Sequence, residues 1–85
     1  MPVKQFFIAN RVKKTISKLP KSIQLRALSS MDSLVENPLL GKRLHGELAD
    51  LYKLRLGDYR LIYTFNPSIS RLELIKIEHR QGVYK

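Results

Sequence analysis

Three cations in the segment 52–63 could do chemistry on a phosphate group. Lys53, Arg55 and Arg60 alternate there with apolar residues around a central Gly57-Asp58 pair. Such a pair suits a type II′ turn between antiparallel strands, and strand alternation then places the cations on one face. Arg55 would lie directly across from Arg60, which destabilises a sheet, so replacing Arg60 is expected to leave the fold intact or slightly more stable. A polyanionic ligand would offset this repulsion, and the hairpin therefore predicts a phosphate-handling site.

These residue types favour cleavage of RNA without a metal ion. The sequence shows no paired carboxylate, Ser-His-Asp order or glycine-rich phosphate loop beside the cations. Cations can stabilise a pentacovalent phosphorane, whose added negative charge develops only during the reaction. RNA supplies its own nucleophile, the 2′-hydroxyl, so the protein must provide a base for that proton and an acid for the 5′-oxygen. Arginine keeps its proton, which leaves Lys53, His79 and Tyr84 as candidates for the base.

The C-terminal residues 79–85 add polar groups directly after the last predicted strand. If the sheet brings them beside the hairpin, Arg80 and Tyr84 reach the same concavity. His79 is a candidate acid or base because histidine is the usual side chain for proton transfer near neutral pH, and Tyr84 could instead stack on a base. The length of the 66–70 turn leaves open which side chains of strand 71–78 face the cations, because a shift of one residue reverses every side chain.

The elements that position these groups begin with a strand and two helices. Residues 3–9 are rich in β-forming side chains and predict a first strand. Asn10 is expected to cap a helix with its side-chain oxygen, and apolar residues at helical spacing follow. Pro20 closes this helix and suits the start of a second one, which ends near residues 37–38.

The second half of the chain reads as a connector, residues 38–50, and three strands, at 51–56, 59–65 and 71–78. The order βααβββ predicts an α+β fold in which an antiparallel β-meander packs against an N-terminal αα-hairpin. A chain of 85 residues is expected to form a single domain over residues 1–85.

The chain carries a net charge of +9, from 16 Lys and Arg against seven Asp and Glu. A small basic domain is attracted to nucleic acid through counterion release, with an acidic protein as the alternative partner. The polar face of the helices carries many of these cations and is a candidate binding surface. Its members are Lys13, Lys14, Lys18, Lys21 and Arg26.

Composition excludes several other classes of site. The chain has no cysteine, so disulfides, thiolate nucleophiles and cysteine metal sites are absent. His45 and His79 lie far apart without an acidic cluster, so no metal or other cofactor is expected. No apolar run approaches the ~20 residues of a membrane helix, and the N-terminus is not organised as a signal peptide. We therefore expect a cytoplasmic protein.

Residues 51–63 and 77–84, with their GDYR and HR-x-x-VY patterns, resemble the RelE branch of the RelE/ParE toxin superfamily. The resemblance extends over essentially the whole chain and includes the βααβββ order. It implies a toxin of a type II toxin–antitoxin pair. RelE-like members cut mRNA in the ribosomal A site without a metal ion, leaving a 2′,3′-cyclic phosphate and a 5′-hydroxyl.

The same resemblance implies catalytic roles for Lys53, Arg55, Arg60, Arg80 and Tyr84, with His79 as a further acid or base. The best-known members carry lysine where Arg55 stands, so the identity of the base stays open. The implied partners are an acidic antitoxin, the ribosome with its rRNA, mRNA, and operator DNA through the antitoxin complex. The helix cations would then contact RNA or the ribosome.

Two alternative functions remain at this point. A ParE-like toxin inhibits DNA gyrase by binding and needs no nuclease chemistry. A basic protein of this size could also bind nucleic acid without catalysis. The full set of hairpin and tail cations favours the nuclease, because a gyrase inhibitor would not need them together.

Overall fold

The computed structural model describes residues 3–44 and 51–79. The elements in chain order are β1 (Gln5–Ile8), α1 (Asn10–Ser17), α2 (Lys21–Glu36), β2 (Lys42–Arg43), β3 (Leu51–Leu56), β4 (Tyr59–Asn66) and β5 (Arg71–His79). In this part of the chain the strands form one sheet in the order β1-β5-β4-β3-β2. The predicted α+β class is confirmed, as are the two helices and the antiparallel β3-β4-β5 meander.

The sheet is mixed, because β1 runs parallel to β5. Backbone bonds hold the start of β1 and the two residues before it: Val3 N donates to Val35 O of α2 at 2.7 Å, and Lys4 N and Gln5 N both donate to Ser70 O, just before β5, at 3.0 Å. Strand β2, which was not predicted, lies inside the expected connector and pairs antiparallel with β3. A two-residue strand is too short to show a periodic pattern.

Helix α1 begins without the side-chain cap that the sequence predicted. Asn10 is the first helical residue, the N-cap is Ala9 in an extended conformation, and no side chain caps the helix. The carbonyl of Ala9 accepts the backbone N–H groups of Val12 and Lys13 at 3.0 and 3.1 Å. The prediction for Asn10 is therefore wrong, because β1 leads straight into the helix and its last extended residue takes the cap position.

The core lies between the helices and one face of the sheet. Burial of apolar surface is the main force that holds such layers together. The buried residues of the core are Val12, Ala27 and Leu34 from the helices and Leu56, Leu61, Tyr63, Leu72, Leu74 and Ile77 from the strands.

A β-bulge at Ile75 decides which way the end of β5 faces. Tyr63 pairs with Leu74 and Ile62 pairs with Lys76, so Ile75 has no partner on β4. The carbonyl of Ile75 accepts a hydrogen bond from Nη2 of Arg11 at 3.1 Å. The extra residue shifts the alternation by one, which keeps Ile77 on the core face and turns the side chains of residues 76 and 78 to the opposite face.

Across residues 3–44 and 51–79, none of the helices has the length and apolar character required to span a membrane.

Candidate functional site

The hairpin of β3 and β4 has the predicted turn and register. Gly57 has a φ of +63°, as the first position of a type II′ turn requires. Arg55 pairs with Arg60, and Lys53 pairs with Ile62. Strand alternation therefore places Lys53, Arg55 and Arg60 together on the face of the sheet that the helices do not cover.

These three cations line one cavity of about 410 Å³. Leu54 and Tyr59 of the same hairpin and the segment 40–42 complete its lining. Lys53 and Arg60 are half-buried, whereas Arg55 is exposed. The cavity thus offers a partly enclosed, positively charged pocket with an apolar element at Leu40.

The segment 40–42 reaches the hairpin because a buried tyrosine holds it there. The hydroxyl of Tyr63 donates to Pro38 O at 2.8 Å and accepts from Gly41 N at 2.8 Å. A Cβ atom on Gly41 would lie 2.7 Å from that hydroxyl and 2.8 Å from Lys53 O, so only glycine fits. Burial raises the pKa of Tyr63, against the opposing effect of the Gly41 N–H, and keeps its hydroxyl available as a donor.

Lys42 is a cation of this face that the sequence analysis did not single out. It is the Cα partner of Lys53 across β2 and β3, and it lines the same cavity. The next residues in register across the sheet from Lys53 are Ile62 on β4 and Lys76 on β5. Ile62 is buried although it lies outside the main core, between two lysines whose aliphatic stems can cover apolar surface.

An acidic residue also belongs to this face. The two hairpin strands contribute no acid to it, as the sequence indicated, but the bulge in β5 brings Glu78 beside Arg60. Nε of Arg60 lies 2.8 Å from Oε2 of Glu78, and Nζ of Lys76 lies 3.1 Å from Oε1. Partial burial raises the pKa of Glu78, but the bonds from Arg60 and Lys76 outweigh that effect and hold the pKa below its ordinary value.

His79 does not join the cations. It is the Cα partner of Tyr59, and the two rings meet edge to face with their centroids 4.9 Å apart. Alternation along β5 puts His79 on the opposite side of the sheet from Glu78 and Arg60. The apolar doublet Leu74-Ile75 is the sequence signal that would have revealed this, because it interrupts the alternation at the bulge. Arg80 and Tyr84 lie outside the described residues.

The helix cations form a separate surface. Lys13, Lys14, Lys18 and Lys21 are all exposed on α1, at its end, or at the start of α2. Arg26 is also exposed, and its Nη1 lies 2.9 Å from the point that a Cβ on Gly57 would occupy. Because the helices cover the core face of the sheet, the structure does not bring these cations to the cavity.

A group of three or more His, Cys, Asp or Glu side chains that could hold a metal ion does not occur among the described residues.

The chain is similar to known toxins both in sequence and in fold. The family model described as the ParE toxin of the type II toxin–antitoxin system, parDE, matches residues 7–84. The chain belongs to the RelE/ParE family of type II toxins. The toxin is also 33% identical over 72 residues to Toxin RelE of Mycobacterium tuberculosis (strain ATCC 25618 / H37Rv), an alignment that covers 82% of this chain and 74% of the relative.

Two solved structures resemble the toxin closely in fold. The toxin–antitoxin complex RelBE2 from Mycobacterium tuberculosis matches with a TM-score of 0.80 and 27% identity, covering 94% of this chain and 100% of the matched one. The archaeal RelE–RelB complex from Pyrococcus horikoshii OT3 matches with a TM-score of 0.80 and 32% identity, covering 92% and 96%. The family resemblance and the RelE-like fold predicted from the sequence are therefore confirmed.

Proposed function

We propose that residues 1–85 form one toxin domain that cuts mRNA in the ribosomal A site as a metal-independent endoribonuclease. The observation that carries this proposal is the convergence of Lys53, Arg55 and Arg60 on one partly enclosed cavity. A pocket of this charge suits a phosphodiester whose negative charge increases in the transition state.

In the proposed reaction the 2′-oxygen of the RNA attacks the adjacent phosphorus, and the bond from phosphorus to the 5′-oxygen breaks. A 2′,3′-cyclic phosphate forms, and the leaving 5′-oxygen takes up a proton. Arg55 and Arg60 stabilise the phosphorane, and Arg80 adds to them from the C-terminal residues. Of Lys53 and Tyr84, one accepts the proton of the 2′-hydroxyl and the other donates a proton to the leaving 5′-oxygen. His79 is less suited to either role because it pairs with Tyr59 on the other face.

The proposal includes an antitoxin as the toxin's protein partner. The two solved structures compared above are complexes of RelE toxins with RelB antitoxins, and a net charge of +9 favours an acidic partner. Lys13, Lys14, Lys18, Lys21 and Arg26 serve as the RNA-contacting or ribosome-contacting surface. Operator DNA is bound only by the toxin–antitoxin complex, and the toxin acts in the cytoplasm, where its ribosomal target is.

A second candidate function is inhibition of DNA gyrase, because the matching family model carries the ParE description. Under this alternative the cations of the hairpin would bind a protein or DNA surface and would cut nothing. A basic nucleic-acid-binding protein without catalysis is the remaining alternative.

Primer extension on mRNA from a translation reaction separates these functions. Adding the purified toxin should create new 5′ ends at ribosome-bound positions, and the variant Arg60→Ala should reduce their rate of formation by roughly 100- to 1000-fold, as the loss of one oxyanion donor does. Arg71→Ala is the matched control, since Arg71 stacks on Phe7, 5.2 Å from its ring centroid, and does not line the cavity. Intact mRNA together with inhibited gyrase supercoiling would contradict the proposal.

A further inference from the structure

Arg60 is held from the side by a carboxylate that does not itself line the cavity. Arg60 and Glu78 are Cα partners on β4 and β5, and their side chains are bonded through Nε and Oε2 at 2.8 Å. Arg60 lines the cavity, whereas Glu78 is not among its lining residues. Arg60 therefore contacts both the cavity and a carboxylate outside the cavity lining.

This contact leaves a defined part of Arg60 for a substrate. An arginine has five N–H donors in a planar fork, and Nε, which the carboxylate engages, supplies one of them. The terminal Nη nitrogens carry the other four and can serve a phosphate in the cavity. Both side chains are partly covered, at 21% and 27% exposure, which reduces the competition of water for this bond.

Lys76 limits the electrostatic penalty of an acid so near the site. Its Nζ lies 3.1 Å from the second carboxylate oxygen, so Glu78 is shared between two cations. The cluster of Arg60, Lys76 and Glu78 keeps a net positive charge. A lone glutamate beside a phosphate site would repel the substrate, but this one is neutralised and fixed.

We propose that Glu78 is a positioning residue for RNA cleavage, which orients Arg60 so that its terminal nitrogens face the scissile phosphate. The inference rests on the proposed nuclease function and adds a residue that the sequence analysis did not consider. Glu78 touches neither the substrate nor the reacting atoms, and it acts through Arg60. A misplacement of about 1 Å in a catalytic group can lower a rate roughly 100-fold. Holding the guanidinium group of Arg60 in place is therefore a sufficient role for Glu78.

The test compares the steady-state kinetics of mRNA cleavage on ribosomes by the wild type, Glu78→Ala and Glu78→Gln. For Glu78→Ala we expect kcat to fall about 10- to 100-fold, with KM unchanged or lower because a negative charge has been removed. Glu78→Gln keeps an oxygen acceptor for Nε and should lose less. Glu73→Gln is the matched control: it removes the same charge from the same strand and face, but Glu73 pairs with Thr64 rather than with Arg60, and it should cleave at the wild-type rate.

Two further measurements separate positioning from a structural role. In an Arg60→Ala background, Glu78→Ala should cause no additional loss of kcat. In ¹H–¹⁵N spectra, the Nε–Hε signal of Arg60 should be sharp and shifted in the wild type and should move toward the free-arginine position in Glu78→Ala. The inference is overturned if Glu78→Ala raises kcat or leaves it unchanged. It is also overturned if Glu78→Ala lowers kcat by the same factor in the wild-type and Arg60→Ala backgrounds. In either case the nuclease function stands. If the wild type leaves mRNA intact, the proposed function fails and this inference fails with it.

Discussion

At the scale of single residues, Arg60 faces a cation on one side and an anion on the other. Arg55 is its partner across the hairpin, and Glu78 is its partner on β5. The pairing of Arg55 with Arg60 could be predicted from the sequence, because the Gly-Asp turn determines the register. The contact with Glu78 could not be predicted, because it depends on a bulge in a different strand.

The ion pair with Glu78 changes the stability that we expect for Arg60→Ala. The sequence alone predicted an unchanged or slightly more stable fold, whereas the structure predicts a less stable one. Arg60→Ala removes a half-buried ion pair as well as the repulsion by Arg55, so the free energy of unfolding should fall by about 0.5–1 kcal/mol, the upper range for such pairs. Arg55→Ala should change it less, because Arg55 is exposed and its Nε bonds only to Gly57 O in the described contacts, at 3.2 Å. Urea denaturation of both variants measures this, and a more stable Arg60→Ala protein would contradict the ion-pair account.

Glu78 also makes stability depend on pH. Its pKa in the folded protein is lower than its ordinary value of 4.5, so the unfolded chain takes up a proton first as the pH falls. The stabilisation is complete above the unfolded value and is lost as the pH drops through the lower folded value. We expect the wild type to be more stable than Glu78→Gln near neutrality and this advantage to shrink below about pH 4.5. Urea titrations of the two proteins over this range measure it, and a constant difference in unfolding free energy would contradict the prediction.

At the scale of elements, local sequence patterns predicted the hairpin and the helices but did not predict the pairings between distant parts of the chain. The apolar stripes of α1 and α2 and the alternation of β3 and β4 are properties of adjacent residues. The parallel pairing of β1 with β5, the short β2 and the bulge at Ile75 depend on contacts between distant parts of the chain. The shared face of Lys53, Arg55 and Arg60 could therefore be predicted from the sequence, whereas the positions of Lys42, Lys76 and Glu78 on that face follow only from the folded sheet.

Tyr63 connects the segment before β2 to the sheet, and its removal should loosen the cavity. Tyr63→Phe leaves Pro38 O and Gly41 N without their bonds to the hydroxyl. An unsatisfied buried polar group costs about 1–3 kcal/mol, so we expect unfolding free energy to fall by about that amount and cleavage to weaken as Lys42 and Leu40 lose their support.

Tyr52→Phe is the matched control for this variant. Tyr52 stacks on Tyr63 with ring centroids 5.2 Å apart, and phenylalanine preserves that stacking. Chemical denaturation of the two variants should therefore show a loss for Tyr63→Phe alone. Equal losses would mean that the hydroxyl of Tyr63 contributes no more to stability than the hydroxyl of Tyr52, which would contradict its role in holding the segment.

At the scale of the whole molecule, the positive charge is divided between two sides of the sheet. The helix side carries exposed lysines such as Lys13 and Lys14, and the open side carries the cavity. Charges remote from a reaction act mainly on encounter rates and on salt dependence. We therefore expect the lysines of the helix side to affect ribosome binding and the cations of the open side to affect the cleavage step.

The double variant Lys13→Glu and Lys14→Glu tests this division. We expect a higher KM for ribosomes and a weaker dependence of binding on salt, with kcat unchanged, because neither residue lines the cavity. Ribosome binding and cleavage rates measured at several salt concentrations provide the comparison. A fall in kcat with unchanged KM would place these lysines in the reaction itself.

In the proposed reaction the cations of the open sheet face promote attack by the 2′-hydroxyl of mRNA. The most direct measurement replaces the single nucleotide before a mapped cleavage point with its 2′-deoxy form and presents this mRNA on ribosomes to the toxin. Our account predicts that cleavage at that point disappears, while unmodified positions are still cut and leave 5′-hydroxyl ends. Cleavage of the deoxy-substituted position at the wild-type rate would contradict it.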